Sequence, residues 1–171
     1  MKLICYHYIA MCKRCERIDR VDNTVAKSEL AHQFEQLARL LEVSRDNPFK
    51  VRSYRFASRA IKNQDADEFT SSTIQGLSKI KGIGKAVVEK SLEYLEKGHM
   101  SKLEEIRESL PKAIGVLATE SKLPAQLISM IWKDLDFTAP EQIIVFIEER
   151  RKELKISDNE FRRVRELLLS E

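Results

Sequence analysis

Glycine and proline are scarce in this chain of 171 residues, which contains five of the first and four of the second. Few chain-breaking residues leave room for long regular elements, and no stretch of alternating apolar and polar residues persists, which argues against a sheet. Hydrophobic residues make up 43% of the sequence and charged residues 33%. This composition excludes a disordered chain and predicts an all-α fold, a small helical bundle with a packed core.

Cysteine is also scarce, and all three cysteines lie within the first fifteen residues. An odd number of cysteines at one end does not form a disulfide framework, so we expect an intracellular protein, cytoplasmic or nuclear. Cys5, His7, Cys12 and Cys15 are possible zinc ligands, but they crowd into eleven residues. We therefore expect residues 1–22 to be a poorly ordered extension, with a zinc site as the alternative hypothesis.

Long hydrophobic runs are absent, because no apolar stretch approaches the roughly 18 residues of a membrane span. The apolar stretch at the N-terminus is interrupted by His7 and followed at once by Lys13 and Arg14, without a small-residue cleavage site. This pattern does not match a secretory signal peptide. We therefore expect no membrane partner.

The net charge is only +3, so basic character has to be located along the chain. Residues 50–62 contain five cations and no acid, within a helix that the apolar spacing predicts from about Pro48 to Lys62. Lys50 projects beside Tyr54 at the rim of the apolar face. The opposite face carries a basic stripe formed by Arg52, Arg55, Arg59 and Lys62. Such a stripe is either a solvated face or a contact to phosphates, and the lack of an acid favours phosphates.

Two glycines one residue apart, Gly82 and Gly84, lie just before a helix that is predicted to begin near Lys85. Glycine lets the backbone turn tightly and approach a ligand, and the amides at a helix N-terminus attract an anion. The flanking residues suit a hairpin that binds phosphate, with apolar anchors and surrounding cations: Ile80, Ile83, Lys79, Lys81 and Lys85. The alternative is an ordinary glycine-containing turn between helices.

The helix after this turn is predicted to run from about Lys85 to Lys97 and to end at Gly98. It carries Lys90 at the edge of its apolar face, one turn before Tyr94. A lysine amine in such surroundings can attack a carbonyl, which makes Lys90 the candidate nucleophile.

The first third of the chain also contains a helix with an apolar stripe, predicted to begin with a cap at Asn23 or Thr24 and to end near Val43. Residues 63–72 have the composition of a polar loop. Capping-box patterns predict that later helices follow caps at Ser101, Thr138 and Ser157.

Residues 122–125 would form a second hairpin, but they contain no glycine, so their amides are poorly placed for phosphate. We therefore interpret this second hairpin as structural. The predicted organisation is an extension at 1–22, a helix-hairpin-helix domain at 23–110 and a C-terminal helical region with a degenerate hairpin at 111–171.

Two segments resemble the N-terminal region of family X DNA polymerases. NPFKVRSYRFASRAI, residues 47–61, resembles the family pattern NPF-x-x-x-A-Y-R-x-A-A-x-x-I. LSKIKGIGKAVVEK, residues 77–90, resembles the family hairpin L-x-x-L-P-G-I-G-x-x-I-A-x-K-I. Residues 111–149 resemble the degenerate second hairpin of the adjoining fingers subdomain. The resemblance implies a small helical domain that binds DNA and, in polymerase β, carries 5′-deoxyribose-phosphate lyase chemistry.

The resemblance also implies roles for individual positions. Lys90 stands where the family has its Schiff-base lysine, and Lys50 and Tyr54 stand where it has a phosphate-contacting lysine and an orienting tyrosine. Lys102 matches a basic position of the family. The carbonyls that correspond to those holding a monovalent cation in the DNA-bound hairpin belong to Ser78, Ile80 and Ile83. No other cofactor is implied.

The chain departs from the family pattern in three respects. Ala86 replaces a helix lysine that helps to bind the 5′-phosphate in lyase-competent members, and Lys81 replaces the usual turn proline. No palm with metal-binding carboxylates follows within the 171 residues. As it stands the chain is therefore not expected to be a polymerase, unless it is a fragment of one.

Three functions follow from the sequence. The first is a DNA-binding module that grips the phosphate backbone of duplex, gapped or nicked DNA in repair or replication. The second is an abasic-site or deoxyribose-phosphate lyase that acts through Lys90. The third is an interaction subunit whose C-terminal helices dock onto a polymerase or nuclease. The residues expected to contact DNA are Lys50, Arg52, Tyr54, Arg55, Arg59, Lys62, Lys79, Lys81, Gly82, Ile83, Gly84, Lys85 and Lys102.

Overall fold

The computed structural model describes residues 24–170, and this part of the chain folds as an all-α bundle with one very small sheet. The prediction of an all-α fold is confirmed. The hypotheses on residues 1–22, including a zinc site at Cys5, His7, Cys12 and Cys15, lie outside the described residues. The elements are β1 (Val25–Ala26), α1 (Lys27–Val43), α2 (Pro48–Lys62), β2 (Glu68–Phe69), α3 (Ser71–Gly76), a 3-10 turn (Leu77–Lys79), α4 (Lys85–Lys97), α5 (Ser101–Ser109), α6 (Lys112–Glu120), α7 (Ala125–Lys133), α8 (Pro140–Arg150) and α9 (Asp158–Leu169).

Helix α1 lies at the centre of the bundle because its apolar residues recur at helical spacing and cover more than one face. Leu30, Phe34, Leu37 and Leu41 form the stripe that the sequence predicts, and all are buried. Ala38 and Leu40 widen the apolar surface, so α1 packs against α2, α5, α6 and α7. The helix therefore connects the first half of the chain with the second.

The start of α1 differs from the prediction. The helix begins at Lys27, and neither Asn23 nor Thr24 is its cap, since the N-cap position is Ala26. Val25 and Ala26 instead pair antiparallel with Phe69 and Glu68. Val25 and Phe69 are both buried, so burying these two apolar side chains against the core favours the strand pair over an earlier helix start.

Residues 63–72 also contain more structure than the predicted loop, namely β2 and the start of α3. Thr70 caps α3, because its hydroxyl accepts from the Thr73 amide while the Thr73 hydroxyl accepts from the Thr70 amide. In this reciprocal cap, Thr73 stands at the third helical position, where Glu or Gln is usual. A helix of six residues is also too short to show a clear apolar period.

Helix α4 has the bounds that the sequence predicts, and Gly98 ends it in a left-handed conformation with φ of 73°. The capping box predicted at Ser101 is wrong, because Met100 is the N-cap of α5 and Ser101 is its first residue. The hydroxyl of Ser101 is engaged elsewhere, since it donates to the carboxylate of Glu93.

One hydrophobic core extends on both sides of residue 110 and includes residues of α1, α6 and α7. The division into domains at 23–110 and 111–171 stays a prediction. Among the later caps, Ser157 accepts from the Glu160 amide as predicted. Thr138 is not a cap, because α8 begins at Pro140 with Ala139 as its N-cap.

Within residues 24–170, no helix is both long enough and apolar enough to cross a membrane. The same residues contain no group of three or more histidine, cysteine, aspartate or glutamate side chains placed to hold a metal ion.

Candidate nucleic-acid interface

The glycine hairpin is a four-residue turn in front of α4. The Ile83 amide donates to the Ile80 carbonyl over 3.0 Å, and Gly82 adopts φ of +100° at the third position. This is the pattern of a type II turn, which requires a positive φ at that position and therefore favours glycine. Lys81 is at the second position, where proline is common but not required. Ile83 is buried and anchors the turn in the core.

Phe56 of α2 lies directly over this turn. A Cβ atom placed on Gly82 would lie 2.9 Å from Cε1 of the Phe56 ring, closer than real Cβ contacts. Gly82 is therefore needed both for its backbone conformation and for the close approach of the ring. Through this contact, the hairpin and the exposed face of α2 that carries Phe56 form one surface.

Gly84 has a different role, because it is the N-cap of α4 and has an ordinary φ of −91°. No side chain caps this helix end, so the amides of the first turn are left to solvent or to an external acceptor. A Cβ on Gly84 would meet nothing within 4 Å. The backbone at Gly84 is therefore open, so that a phosphate can reach the first amides of α4.

The three lysines around the turn are all exposed, but they differ in their partners. Lys85 lies 3.3 Å from the carboxylate of Glu89, with 89% of its side chain exposed. Among the described residues, no acid pairs with Lys79 or Lys81. An exposed lysine without an acid partner can bind a phosphate without first breaking an ion pair.

The basic stripe of α2 divides into two pairs. Arg55 pairs with Glu42 of α1, and Lys62 lies 3.8 Å from the carboxylate of Glu35, also of α1. Arg52 and Arg59 are exposed, and within residues 24–170 neither has an acid partner. The sequence of α2 contains no compensating acid, but α1 supplies two.

Two exposed phenylalanines on α2 were not identified from the sequence. Phe49 is 71% exposed and Phe56 is 36% exposed. At helical spacing they share the outer face of α2 with Arg52 and Arg59. A helical projection that includes Phe49 and Phe56 shows this face.

Lys50 and Lys102 are both paired with acids. Lys50 lies 3.2 Å from Asp46, and Lys102 lies 2.9 Å from Glu105. The amide of Asn47, followed by the ammonium of Lys50, holds the pKa of Asp46 below its usual value. Asp46 therefore stays charged and competes with any phosphate for Lys50.

Lys90 of α4 and Tyr54 of α2 lie near each other. The Lys90 ammonium lies 6.0 Å from the centre of the Tyr54 ring, and Lys90 is half-buried between α4 and α2. Tyr54 is buried and stacks on Phe34, with ring centres 6.0 Å apart. Lys50, on the same helix as Tyr54, is engaged in its ion pair with Asp46.

The carbonyls of Ile80 and Ile83 belong to this turn, and that of Ser78 belongs to the 3-10 turn just before it. The Ile80 carbonyl already accepts from the Ile83 amide, which leaves it a second lone pair. Neutral carbonyl oxygens are the ligands that potassium and similar monovalent ions take in proteins, so the donor chemistry fits such an ion.

Residues 25–100 match the model of a helix-hairpin-helix domain. The chain is also similar to the DNA polymerase/3′-5′ exonuclease PolX of Bacillus subtilis (strain 168), with 26% identity over 125 residues. The aligned part is 73% of this chain but 21% of the relative, so the chain spans about a fifth of the relative's length. Both findings support DNA binding, and the hairpin at residues 80–84 lies within the residues that the helix-hairpin-helix model matches.

Proposed function

We propose that this chain is a DNA-binding module that holds the phosphate backbone and acts in DNA repair or replication. The observation that carries this proposal is the uncapped start of α4 beside Gly84, with nearby cations that have no acid partner among residues 24–170. Amides, lysines and arginines of this kind contact phosphate rather than base edges. The module is therefore expected to bind without reading sequence, on duplex, gapped or nicked DNA.

The resemblance to family X polymerases and the similarity to PolX support a finer assignment. In it, residues 23–110 correspond to the small N-terminal domain of that family, and a polymerase or nuclease is the partner that would act on the bound DNA. The pairing of Lys50, Lys102, Arg55 and Lys62 with acids shifts the expected interface toward the hairpin and the outer face of α2. The cations that carry most of the binding are then Arg52, Arg59, Lys79 and Lys81.

A salt titration of binding to a fluorescent gapped duplex tests the proposal. Four neutralised phosphates give a slope of about −3 to −4 in a plot of log affinity against log salt. Fluorescence anisotropy measures the affinity at each salt concentration. A slope near zero, or no binding at low salt, would show that the backbone is not the ligand.

The same titration tests the monovalent cation at Ser78, Ile80 and Ile83. Tetramethylammonium is too large to enter a ring of carbonyls, whereas potassium fits such a ring. If an ion supports the hairpin, affinity at equal ionic strength is expected to be lower in tetramethylammonium chloride than in potassium chloride. Equal affinities in the two salts would exclude this cofactor.

The half-buried position of Lys90, together with its match to the Schiff-base lysine of family X polymerases, supports lyase activity as a second candidate function. The Lys90 amine would add to C1′ of an abasic sugar, and loss of water would give an iminium. Removal of a proton from C2′ would then break the C3′–O bond and release the 3′-phosphate, and water would later hydrolyse the iminium. Ala86 and the Asp46–Lys50 ion pair weaken this candidate, since both reduce the positive charge available to a 5′-phosphate.

Borohydride trapping on incised abasic DNA decides between the two functions. Borohydride reduces an iminium to a stable amine, so a lyase gives a covalent protein–DNA adduct. If Lys90 is the nucleophile, we expect Lys90→Ala to lose the adduct and Lys85→Ala, on the same helix, to keep it. If the wild type binds DNA but forms no adduct, the chain is a DNA-binding module and not a lyase.

A further inference from the structure

The connection between α6 and α7, like the glycine hairpin, lies directly before the N-terminus of a helix. Pro124 is the N-cap of α7, as Gly84 is the N-cap of α4. Counted back from these caps, Lys122 stands at the position of Gly82. On the same count, the carbonyls at the positions of Ser78, Ile80 and Ile83 belong to Ala118, Glu120 and Leu123. On this count the second hairpin, which the sequence predicts at residues 122–125, extends over residues 118–124.

Guanidinium groups hold all three of these carbonyls. Arg39 of α1 donates from Nε to the Ala118 carbonyl and from Nη2 to the carbonyls of Leu123, over 2.7 Å, and Ser121, over 3.1 Å. Arg163 of α9 donates from Nε and Nη2 to the Glu120 carbonyl over 3.2 and 3.0 Å. In the second hairpin, the carbonyls that would face an ion therefore face arginines of the chain itself.

The amide side of the second hairpin is also occupied. The Lys122 amide donates to the carboxylate of Glu160 over 2.7 Å. Glu160 is in the first turn of α9, less than one turn before Arg163, so one helix supplies both an anion to the amide and a cation to a carbonyl. An acid at this amide takes the place that a phosphate oxygen would need.

We infer that α9 and Arg39 are the permanent internal ligands of the second hairpin, which makes it a closed joint between the halves of the chain rather than a second DNA contact. Arg39 is half-buried, and burial lowers its pKa, although arginine stays charged at such sites. A half-buried cation is stable here because three carbonyls satisfy it. The joint thus fixes α6 and α7 to α1 without an added ion and without DNA.

Thermal unfolding of single variants tests the closure. Arg39→Ala removes three charge-assisted hydrogen bonds, and we expect Tm to fall by about 6 °C or more. Millimolar methylguanidinium is expected to restore part of that loss, whereas urea at the same concentration is not. Arg163→Ala and Glu160→Ala are expected to lower Tm by about 2 to 4 °C each. Arg162→Ala, one residue away and exposed, is the matched control and is expected to leave Tm unchanged.

If Arg39→Ala does not fold, the two variants on α9 decide the question, because each removes only one partner from the surface. Values of Tm for Arg163→Ala and Glu160→Ala equal to that of Arg162→Ala would overturn the inference. So would a folded Arg39→Ala variant whose Tm equals that of the wild type.

Charge reversal in each hairpin tests the second part of the inference, and this arm alone rests on the proposed DNA binding. We expect Lys122→Glu to keep DNA affinity within about twofold while Lys81→Glu loses about tenfold. Equal losses for the two variants would overturn the inference, because the second hairpin would then contact DNA. If the wild type binds no DNA, the proposed function fails, and the unfolding measurements still decide whether the joint is closed.

Discussion

Replacing Gly82 with valine is expected to lower the free energy of unfolding by about 2 to 3 kcal/mol and to abolish measurable DNA binding. A β-branched residue is strained at φ of +100°, and its Cβ would lie 2.9 Å from the Phe56 ring. Denaturant unfolding measures the first effect and fluorescence anisotropy with a gapped duplex measures the second. Loss of binding in this variant alone does not separate a damaged fold from a damaged interface.

The matched change at Gly84 makes that separation. Gly84→Ala has space for its methyl group and an ordinary φ, so the expected cost is about 0.5 kcal/mol, from the weaker N-cap. The methyl group would nevertheless lie where a phosphate approaches the α4 amides, and we expect about a tenfold loss of DNA affinity, near 1.4 kcal/mol. Gly76→Ala, which also has open space, is expected to leave affinity unchanged. If Gly84→Ala binds DNA as tightly as the wild type, the turn is not part of the DNA interface.

Reversing the charge of the cations without acid partners is expected to have the second large effect. The double variants Lys79→Glu/Lys81→Glu and Arg52→Glu/Arg59→Glu are each expected to lose about a hundredfold or more in DNA affinity at low salt. Each is also expected to reduce the steepness of the salt dependence by about 2, because two phosphates lose their cation. Salt titrations followed by anisotropy measure both quantities.

The control for this prediction has the same change in net charge at a distant site. Lys152 and Lys155 lie between α8 and α9, are exposed, and have no acid partner among the described residues. The variant Lys152→Glu/Lys155→Glu is expected to lose only the small amount that follows from a lower net charge. If all three double variants weaken binding equally, DNA is attracted by the total charge and not by the hairpin and α2.

Local features of the fold follow from the sequence because neighbouring residues decide them. The bounds of α2 and α4, the left-handed end at Gly98 and the cap at Ser157 depend on proline, glycine and serine at fixed offsets. The predictions failed where a short element depends on distant partners. The start of α1 is set by the pairing of Val25 with Phe69, and the side chain of Ser101 is drawn to Glu93.

In the candidate site too, contacts within one helix are predictable from the sequence, whereas contacts between different elements are not. The ion pair of Lys85 with Glu89 joins residues four apart on α4, so helical spacing predicts it. Asp46 precedes α2, so helical spacing does not predict its ion pair with Lys50. The pairing of Arg55 with Glu42 joins two helices, and no spacing within α2 predicts it. The outer face that includes Phe49 and Phe56 follows from the helical spacing of α2, but the prediction assigned no role to these two phenylalanines.

The sequence by itself determined that the chain is helical and that a glycine turn precedes α4, since backbone conformation at Gly82 and helix starts are local properties. Only the tertiary structure decided which cations are available and which hairpin is open. Glu42 of α1 neutralises Arg55, while Arg39 and Arg163 hold the carbonyls of the second hairpin from far along the chain. Charge neutralisation and hydrogen-bond saturation depend on distances in space, and packing around α1 sets those distances.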